Sequence, residues 1–364
     1  MKVALVHDYL NQYGGAERVL EALTQIFPEA PIYTLFYDER ETGFAFRGKE
    51  IHTSFLQKLP FVKSHHRSFL MLMPMAVEQF DLSDYDLVIS DSASYAKGVI
   101  TKPETLHICY CHTPIRYAWD DSHKYIEEFG YPGFVKKTIP FFMNYIRLWD
   151  EQAAYRVDKF IANSSFVAKR IEKYYHRPST IIYPPVKTNL FYTAQEPQEY
   201  FLMTGRFLPY KRFDLAIEAF NRLGWPLKII GTGPEKKRLM KKAKDNIEFI
   251  GLVSDEKLRH YYANCQAFIF PQEEDFGITA VEAMAAGRPV VAYKSGGALE
   301  TVKENETGVF FESQDAKSLI EALDSFSSKK FNPQKIKEHA EQFSQEKIAE
   351  KIKDFIFQSL QRNI

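Results

Sequence analysis

Residues 267–293 read AFIFPQEEDFGITAVEAMAAGRPVVAY. A short apolar run ends at Pro271, a polar loop carrying Glu274 follows, then a helix carrying Glu282, then a second apolar run, PVVAY. Strands that are apolar throughout and alternate with helices belong to parallel sheets covered on both faces. The same alternation runs along the chain. In the first half the runs are KVALVHDY, PIYTLF, LVIS, HICYC, KFIANS and TIIYPPV; in the second they are YFLMTG, LKIIG, IEFIG, AFIFP, PVVAY and GVFF. Helical patterns fit between most of them; residues 16–27 put Val19, Leu20, Leu23, Ile26 and Phe27 on one stripe. Two such series predict an α/β protein with two doubly wound, Rossmann-like domains. The prolines and polar residues of 183–200, YPPVKTNLFYTAQEPQEY, break both periodicities and mark the joint. The domains are expected over 1–186 and 187–343, followed by an amphipathic helix over 344–364 that packs back towards the first domain through Ile348, Ile352, Phe355 and Ile356.

Composition narrows the function. Lys+Arg and Asp+Glu are both 47, so no charge excess argues for a nucleic-acid partner. Three cysteines in 364 residues do not make a disulfide framework, which fits a reducing cytoplasm. The apolar run Val3 to Val6 is too short for a signal-peptide core. No apolar stretch reaches the ~18–20 residues of a membrane-spanning helix. The expectation is a soluble, cytoplasmic protein, or one lying on a membrane without crossing it.

In an open parallel sheet, ligands bind outside the carboxyl ends of the strands, where the strand order reverses. Loops after strands therefore carry the weight. HDYLNQYGGAERV, 7–19, opens a helix with Gly14 and Gly15, whose unpaired N–H groups suit a phosphate; a tight turn explains the glycines equally well. GRFLPYKRFD, 205–214, places Arg206 and Lys211 where two cations suit a diphosphate leaving group, or form a solvated basic loop. GTGPEKKRL, 231–239, brings Gly231 and Gly233 after a strand but lacks the third glycine of a dinucleotide fingerprint. A base or ribose packed on backbone is one reading of it, a plain turn the other. CYCHTP, 109–114, ends a strand on His112, a candidate for hydrogen bonding to substrate; Cys109, Cys111 and His112 match no zinc pattern. Asp84 and Asp86 have the spacing of a metal–diphosphate pair but stand before a strand, so no metal site is expected there.

Glu274 and Glu282 lie eight positions apart. Thr279 and Glu282 form a capping box in sequence, which would make Glu282 local glue. With a helix starting at Gly277 or Ile278, Glu282 is instead free to face a ligand. Acceptors beside phosphate-facing N–H donors suit the hydroxyl groups of a ribose and a sugar, the demands of a nucleotide sugar.

Taken in order, GGAE, CHTP, ANSSFVAKRI, YPPV, GRFLPYKRFD, GTGP, PQEEDFG…VEAM and GRPVVAYKSGGALE resemble a retaining glycosyltransferase of family 4 with the GT-B fold, over nearly the whole chain. The resemblance implies two Rossmann-like domains facing across a cleft and no divalent metal or other cofactor. It implies that the Gly15 amide, beside Gly14, touches donor phosphates and that Arg206 and Lys211 hold the diphosphate. Glu274 would bind donor-sugar hydroxyls, Glu282 the ribose, and the amides of Phe276, Gly277 and Ile278 phosphate and sugar. Gly231 and Gly233 would flank the nucleotide, and His112 would line the reaction centre. One departure is Ala298, in KSGGALE, where a bulkier apolar residue is frequent; it bears on the shape of the sugar pocket. HDYLNQYGGAERVLEAL and CHTPIRYAWD look most like bacterial mannosyltransferases of surface-polysaccharide (lipopolysaccharide) assembly. They imply GDP-mannose as donor and a saccharide or lipid-linked saccharide as acceptor; the alternatives are a UDP-sugar-dependent transferase of the same fold and a nucleotide-sugar-binding protein without turnover. A membrane acceptor turns attention to 56–75 and 131–149, which mix Lys58, Lys63, Arg67, Lys136, Lys137 and Arg147 with aromatics. An internal helix face with ordinary solvated charge is the rival reading of both.

Overall fold

The computed structural model describes residues 1–120 and 133–361, with 133–137 and Lys329 described by backbone alone. Two compact units result: Met1–Pro185 with Ile348–Ile364, and Val186–Lys347. The crossings lie one residue before and four residues after the joints expected at 186/187 and 343/344. Hydrogen bonding accounts for the shift. The Val186 N–H donates to the Phe343 carbonyl (3.0 Å) and the Gln345 N–H to the Val186 carbonyl (3.0 Å), so both crossing segments are tied inside the second unit.

The first unit holds β1 (Val3–His7), β2 (Ile32–Thr34), β3 (Ile51–Thr53), β4 (Leu87–Ser92), β5 (Leu106–Cys111), β6 (Lys159–Ala162) and β7 (Ser179–Ile181). Among the described residues these form one parallel sheet in the order β3-β2-β1-β4-β5-β6-β7. The order reverses between β1 and β4, and their register sets His7 opposite Asp91 at the carboxyl ends. Ala4, Val6 and Val88 look into one core, with Met73, Ala76 and Ile146. Leu5, Leu87, Ile89 and Ile108 look into another, with Leu20 and Leu23 of the Gly15–Ile26 helix. Ile348, Ile352 and Ile356 of the Gln345–Gln361 helix enter that second core. Burying each such isoleucine contributes roughly 1.5–3 kcal/mol, which holds this last helix on the first unit.

The second unit holds β8 (Phe201–Thr204), β9 (Leu227–Ile230), β10 (Ile247–Gly251), β11 (Phe268–Phe270), β12 (Val290–Tyr293) and β13 (Gly308–Phe311). These are parallel, in the order β10-β9-β8-β11-β12-β13, with the reversal between β8 and β11. The two apolar runs of the opening stretch are β11 and β12, joined by the helix Ile278–Ala285. Among the described residues no helix is long and apolar enough to cross a membrane.

Candidate functional site

The first unit's candidate residues converge where its strand order reverses. His7, Asp91 and His112 end adjacent strands on one face. Asp91 Oδ2 lies 2.8 Å from His7 Nδ1, and Asp91 Oδ1 lies 2.6 Å from His112 Nε2. His7 Nε2 stands 3.8 Å from Glu17 Oε1, and Glu17 Oε2 accepts the Gly14 N–H at 2.8 Å. Gly14 caps the Gly15–Ile26 helix, and an added Cβ would lie 3.2 Å from that Glu17 oxygen. His7, Asp91 and Glu17 are buried. Burial alone would lower the pKa of His7, but its hydrogen bonds to Asp91 and Glu17 outweigh this and raise it to about 10. Burial likewise opposes protonation of His112, and the charge of Asp91 overcomes it, leaving His112 above its ordinary value. Burial would raise both carboxyl pKa values; the imidazoles hold Asp91 and Glu17 below theirs.

Three neighbours fix the surrounding loops. The Asp8 carboxylate accepts the N–H groups of Ala93 (2.7 Å), Tyr95 (2.7 Å) and Ala96 (2.6 Å), bracing the turn after β4. Asn163 Nδ2 donates to the His112 carbonyl at 3.0 Å, and Arg170 Nη1 to Thr113 Oγ1 at 2.7 Å. The motifs CHTP and ANSSFVAKRI are thus two sides of one contact.

In the second unit, Arg206 is exposed on the loop after β8, and Lys211 ends the short turn Pro209–Lys211. Lys211 is ion-paired with Glu274, which follows β11, and Gln272 Nε2 reaches the same carboxylate at 3.4 Å. The loop after β12 closes on Glu274 from another side. The Gly297 N–H donates to the Glu274 carbonyl at 2.8 Å, and a Cβ on Gly297 would fall 2.3 Å from the Phe276 Cα. Ala298 begins the Ala298–Thr301 turn of helix and is fully buried. Gly277 adopts φ +95° and is the N-cap, so the helix starts at Ile278. Thr279 therefore lies inside the first turn, and its Oγ1 has no hydrogen-bond partner. The capping box does not form. Glu282, buried, accepts the Tyr262 hydroxyl at 3.0 Å, and that hydroxyl meets Thr204 Oγ1 at 2.9 Å.

Gly231 and Gly233 have a packing cause. At φ +141° and +159°, their added Cβ atoms would lie 1.9 Å from the Gly205 carbonyl oxygen and 2.6 Å from the Phe207 nitrogen. Two backbones in such contact admit glycine alone. Asp86, the residue discounted as a metal ligand, accepts the Lys2 N–H at 2.7 Å at the opposite end of the first sheet.

Comparison with known proteins then gives two matches that divide the chain. Residues 13–190 match the family model "Glycosyltransferase Family 4", and 191–356 match "Glycosyl transferases group 1". The chain carries both glycosyltransferase domains. Among curated relatives, an uncharacterized glycosyltransferase of Methanocaldococcus jannaschii is 27% identical over 210 residues, 55% of this chain and 60% of that protein. O-antigen chain mannosyltransferase C of Escherichia coli is 27% identical over 132 residues, 34% of this chain and 36% of that one. A GDP-mannose-dependent phosphatidylinositol monomannoside mannosyltransferase of Mycobacterium tuberculosis is 32% identical over 137 residues, 33% and 36%. The chain thus spans 60% or less of the length of these relatives. Among solved structures, HepE of Anabaena with UDP and glucose superposes with a TM-score of 0.73 at 18% identity, covering 98% of this chain and 99% of that one. WaaG, a glycosyltransferase involved in lipopolysaccharide biosynthesis, gives 0.68 at 16%, covering 97% and 99%. The fold of this glycosyltransferase-domain chain is GT-B.

Sequence reading did not single out Asp8, Glu17, Asp91, Asn163 or Arg170, nor His7 apart from its loop. The signal for three of them was positional. His7, Asp8 and Asp91 are polar residues at the carboxyl ends of apolar runs, where the switch-point rule directs attention.

Proposed function

We propose that this chain is a retaining glycosyltransferase that moves mannose from GDP-mannose to a saccharide or lipid-linked saccharide of a cell-surface polysaccharide. The observation that carries the reading is the Lys211–Glu274 pair at the reversal of the second sheet, beside the start of the Ile278–Ala285 helix. It sets a cation for a diphosphate next to an acceptor for sugar hydroxyls. The named mannosyltransferases among the relatives support the donor choice.

In this scheme Arg206 and Lys211 neutralise the departing diphosphate, so its charge is met by side chains. The N–H groups at a helix start have no intrahelical partner; the amides of Phe276, Gly277 and Ile278, which lead into the Ile278–Ala285 helix, meet phosphate and sugar. Glu274 orients the sugar, Glu282 takes the ribose, and Gly231 and Gly233 keep the nucleotide loop close. His112 and the Gly15 amide are the first unit's own candidate ligand groups. The acceptor oxygen bonds to the anomeric carbon on the face from which the C–O bond to phosphate breaks. The acceptor's proton passes to the departing phosphate oxygen. A thermal-shift panel of GDP-mannose, UDP-glucose, ADP-glucose and NAD tests the donor. GDP-mannose at about 100 times its Kd should add about 2.7 kcal/mol. Stabilisation by UDP-glucose alone would replace the donor half of the reading, and by NAD alone all of it.

The acceptor proposal extends to a membrane surface at the inner face of the cell membrane. On the Gly133–Tyr155 helix, Phe141, Tyr145 and Leu148 fall on one stripe and are exposed, Phe141 by 77%. Phe61, 76% exposed, stands between exposed Lys58 and Lys63, with Arg67 near in sequence. Lys63 also pairs with Asp38 at 3.5 Å. Lys136 and Lys137 belong to the expected second segment, but their side chains, with all of 131–132, lie outside the described residues. Exposed aromatics flanked in sequence by cations suit an anionic bilayer. Co-sedimentation with phosphatidylglycerol vesicles at low salt should be strong for the native chain. It should fall at least about fivefold when Phe61 and Phe141 become Ser and Lys58 and Arg67 become Glu; equal binding would remove this surface from the reading.

A further inference from the structure

We propose that Asp91 is a positioning residue for His112, and that His7 and Glu17 carry its constraint on to the Gly14–Gly15 turn. One buried charged line then fixes the two candidate substrate-facing loops of the first unit relative to each other. The sheet register makes the line possible. His7 and Asp91 are opposed on neighbouring strands, so the carboxylate lies between two imidazoles and gives one oxygen to each, at 2.8 and 2.6 Å. His7 turns its second nitrogen to Glu17, 3.8 Å away, and Glu17 accepts the Gly14 N–H. His112 is the most exposed of the four side chains in the line, 9% against 0% for Asp91. Its Nε2 is committed to Asp91, which leaves Nδ1 as the ring atom to meet a ligand. Its main chain is held separately, by the Ser92 carbonyl (2.8 Å) and Asn163.

Stability alone is a poor account of this arrangement. Burying four ionisable groups, His7, Glu17, Asp91 and His112, costs several kcal/mol for each charge before pairing, and well-packed apolar residues commonly do as well. Packing would be satisfied by apolar residues of matching volume replacing the whole group together. What an apolar residue could not do is fix which imidazole nitrogen points where. The charged and titratable groups around His112 are Asp91 from β4, His7 and Asp8 from the end of β1, and Tyr110 beside its ring at 5.3 Å. Glu17 reaches it only through His7.

The inference rests on the proposed transfer reaction for its kinetic arm alone. The deciding measurement is histidine-selective 15N NMR on the full chain, comparing native protein with Asp91→Asn and Glu17→Gln. In the native chain His112 should titrate above the ordinary histidine value, because the Asp91 charge holds its proton. Asp91→Asn should lower that midpoint by about one pH unit or more and change the tautomer of the neutral ring. Glu17→Gln, isosteric and remote from His112, should shift the Gly14 amide and the His7 and His112 ring signals together. With donor and acceptor supplied, Asp91→Asn should lower kcat about tenfold or more while donor KM stays within about threefold. An unchanged His112 titration in Asp91→Asn overturns the positioning role. A Glu17→Gln spectrum in which the Gly14 amide moves and His112 does not overturns the line. Should Asp91→Asn fail to fold, Glu17→Gln decides by itself. Should no donor turn over, the transfer reading fails while the NMR result still stands.

Discussion

Lys211→Met is expected to lower kcat/KM for sugar transfer by about 10²–10³-fold while leaving the fold intact. Lysine and methionine have similar unbranched stems, so the substitution removes the charge with little change in packing. Lys211 and Glu274 are 18% and 17% exposed, dry enough for the ammonium to act strongly on a neighbouring phosphate. The loss has two parts. The diphosphate's developing charge goes unmet, which reduces kcat. The Glu274 carboxylate also loses its partner and repels the donor, which raises donor KM. Lys211→Arg keeps charge but not its point-like shape, and should fall between the two. Steady-state kinetics with GDP-mannose, alongside thermal melting, checks the result. Activity within threefold of native would separate Lys211 from the reaction.

The second large effect is on stability. Asp150→Leu should destabilise the first unit by about 3–5 kcal/mol, because it strands a buried ammonium. Lys97 is 1% exposed and ion-paired with Asp150, 0% exposed. Burial would lower the Lys97 pKa; the Asp150 charge more than offsets it and holds the lysine charged. The same carboxylate accepts Trp119 Nε1 and the Tyr175 hydroxyl, each at 2.8 Å. Lys97→Met with Asp150→Leu removes both charges and should recover most of the loss, as replacing a whole buried pair by apolar groups commonly does. Urea unfolding of the full chain, following the first unit's transition, measures both variants. A single substitution costing less than about 1 kcal/mol would mean water reaches Lys97. The consequence extends to the candidate site. Lys97 sits in the turn after β4 that Asp8 braces, and β4 carries Asp91.

Much of the fold was legible because burial on both faces writes a strand as an unbroken apolar run. β1, β11 and β12 lie within such runs, while β4 runs two residues past LVIS to Ser92 and β5 begins one residue before HICYC, at Leu106. The exception shows the limit. β3, Ile51–Thr53, was not read as a strand, because it is an edge strand with His52 and Thr53 exposed and no apolar run to announce it. The segment 56–75 reads as one basic, aromatic stretch, yet it breaks into short turns of helix at Phe55–Lys58, Val62–His65, His66–Leu72 and Met73–Glu78. Pro60 and Pro74 restrict the backbone there.

The candidate site was legible only in part. Lys211 and Glu274 are 63 residues apart, and their meeting follows from β8 and β11 being neighbours at the reversal. Glu282 had two readings that differ by where a helix begins. The left-handed backbone of Gly277 settled that start at Ile278 and removed the capping box. The glycines at 231 and 233 carried a ligand reading and a turn reading; the structure adds a third cause, contact with the Gly205–Phe207 backbone.

By itself the sequence determined two series of buried parallel strands with crossover helices, and therefore which loops open at carboxyl ends. Local periodicity and glycine placement depend on neighbours along the chain, so they can be read in one dimension. The tertiary structure alone decided that His7 faces Asp91, that Asp91 also takes His112, and that Lys211 takes Glu274. Each of these pairs depends on strand order and register. Those are fixed by how whole strands and helices pack to exclude water, and no local pattern records them.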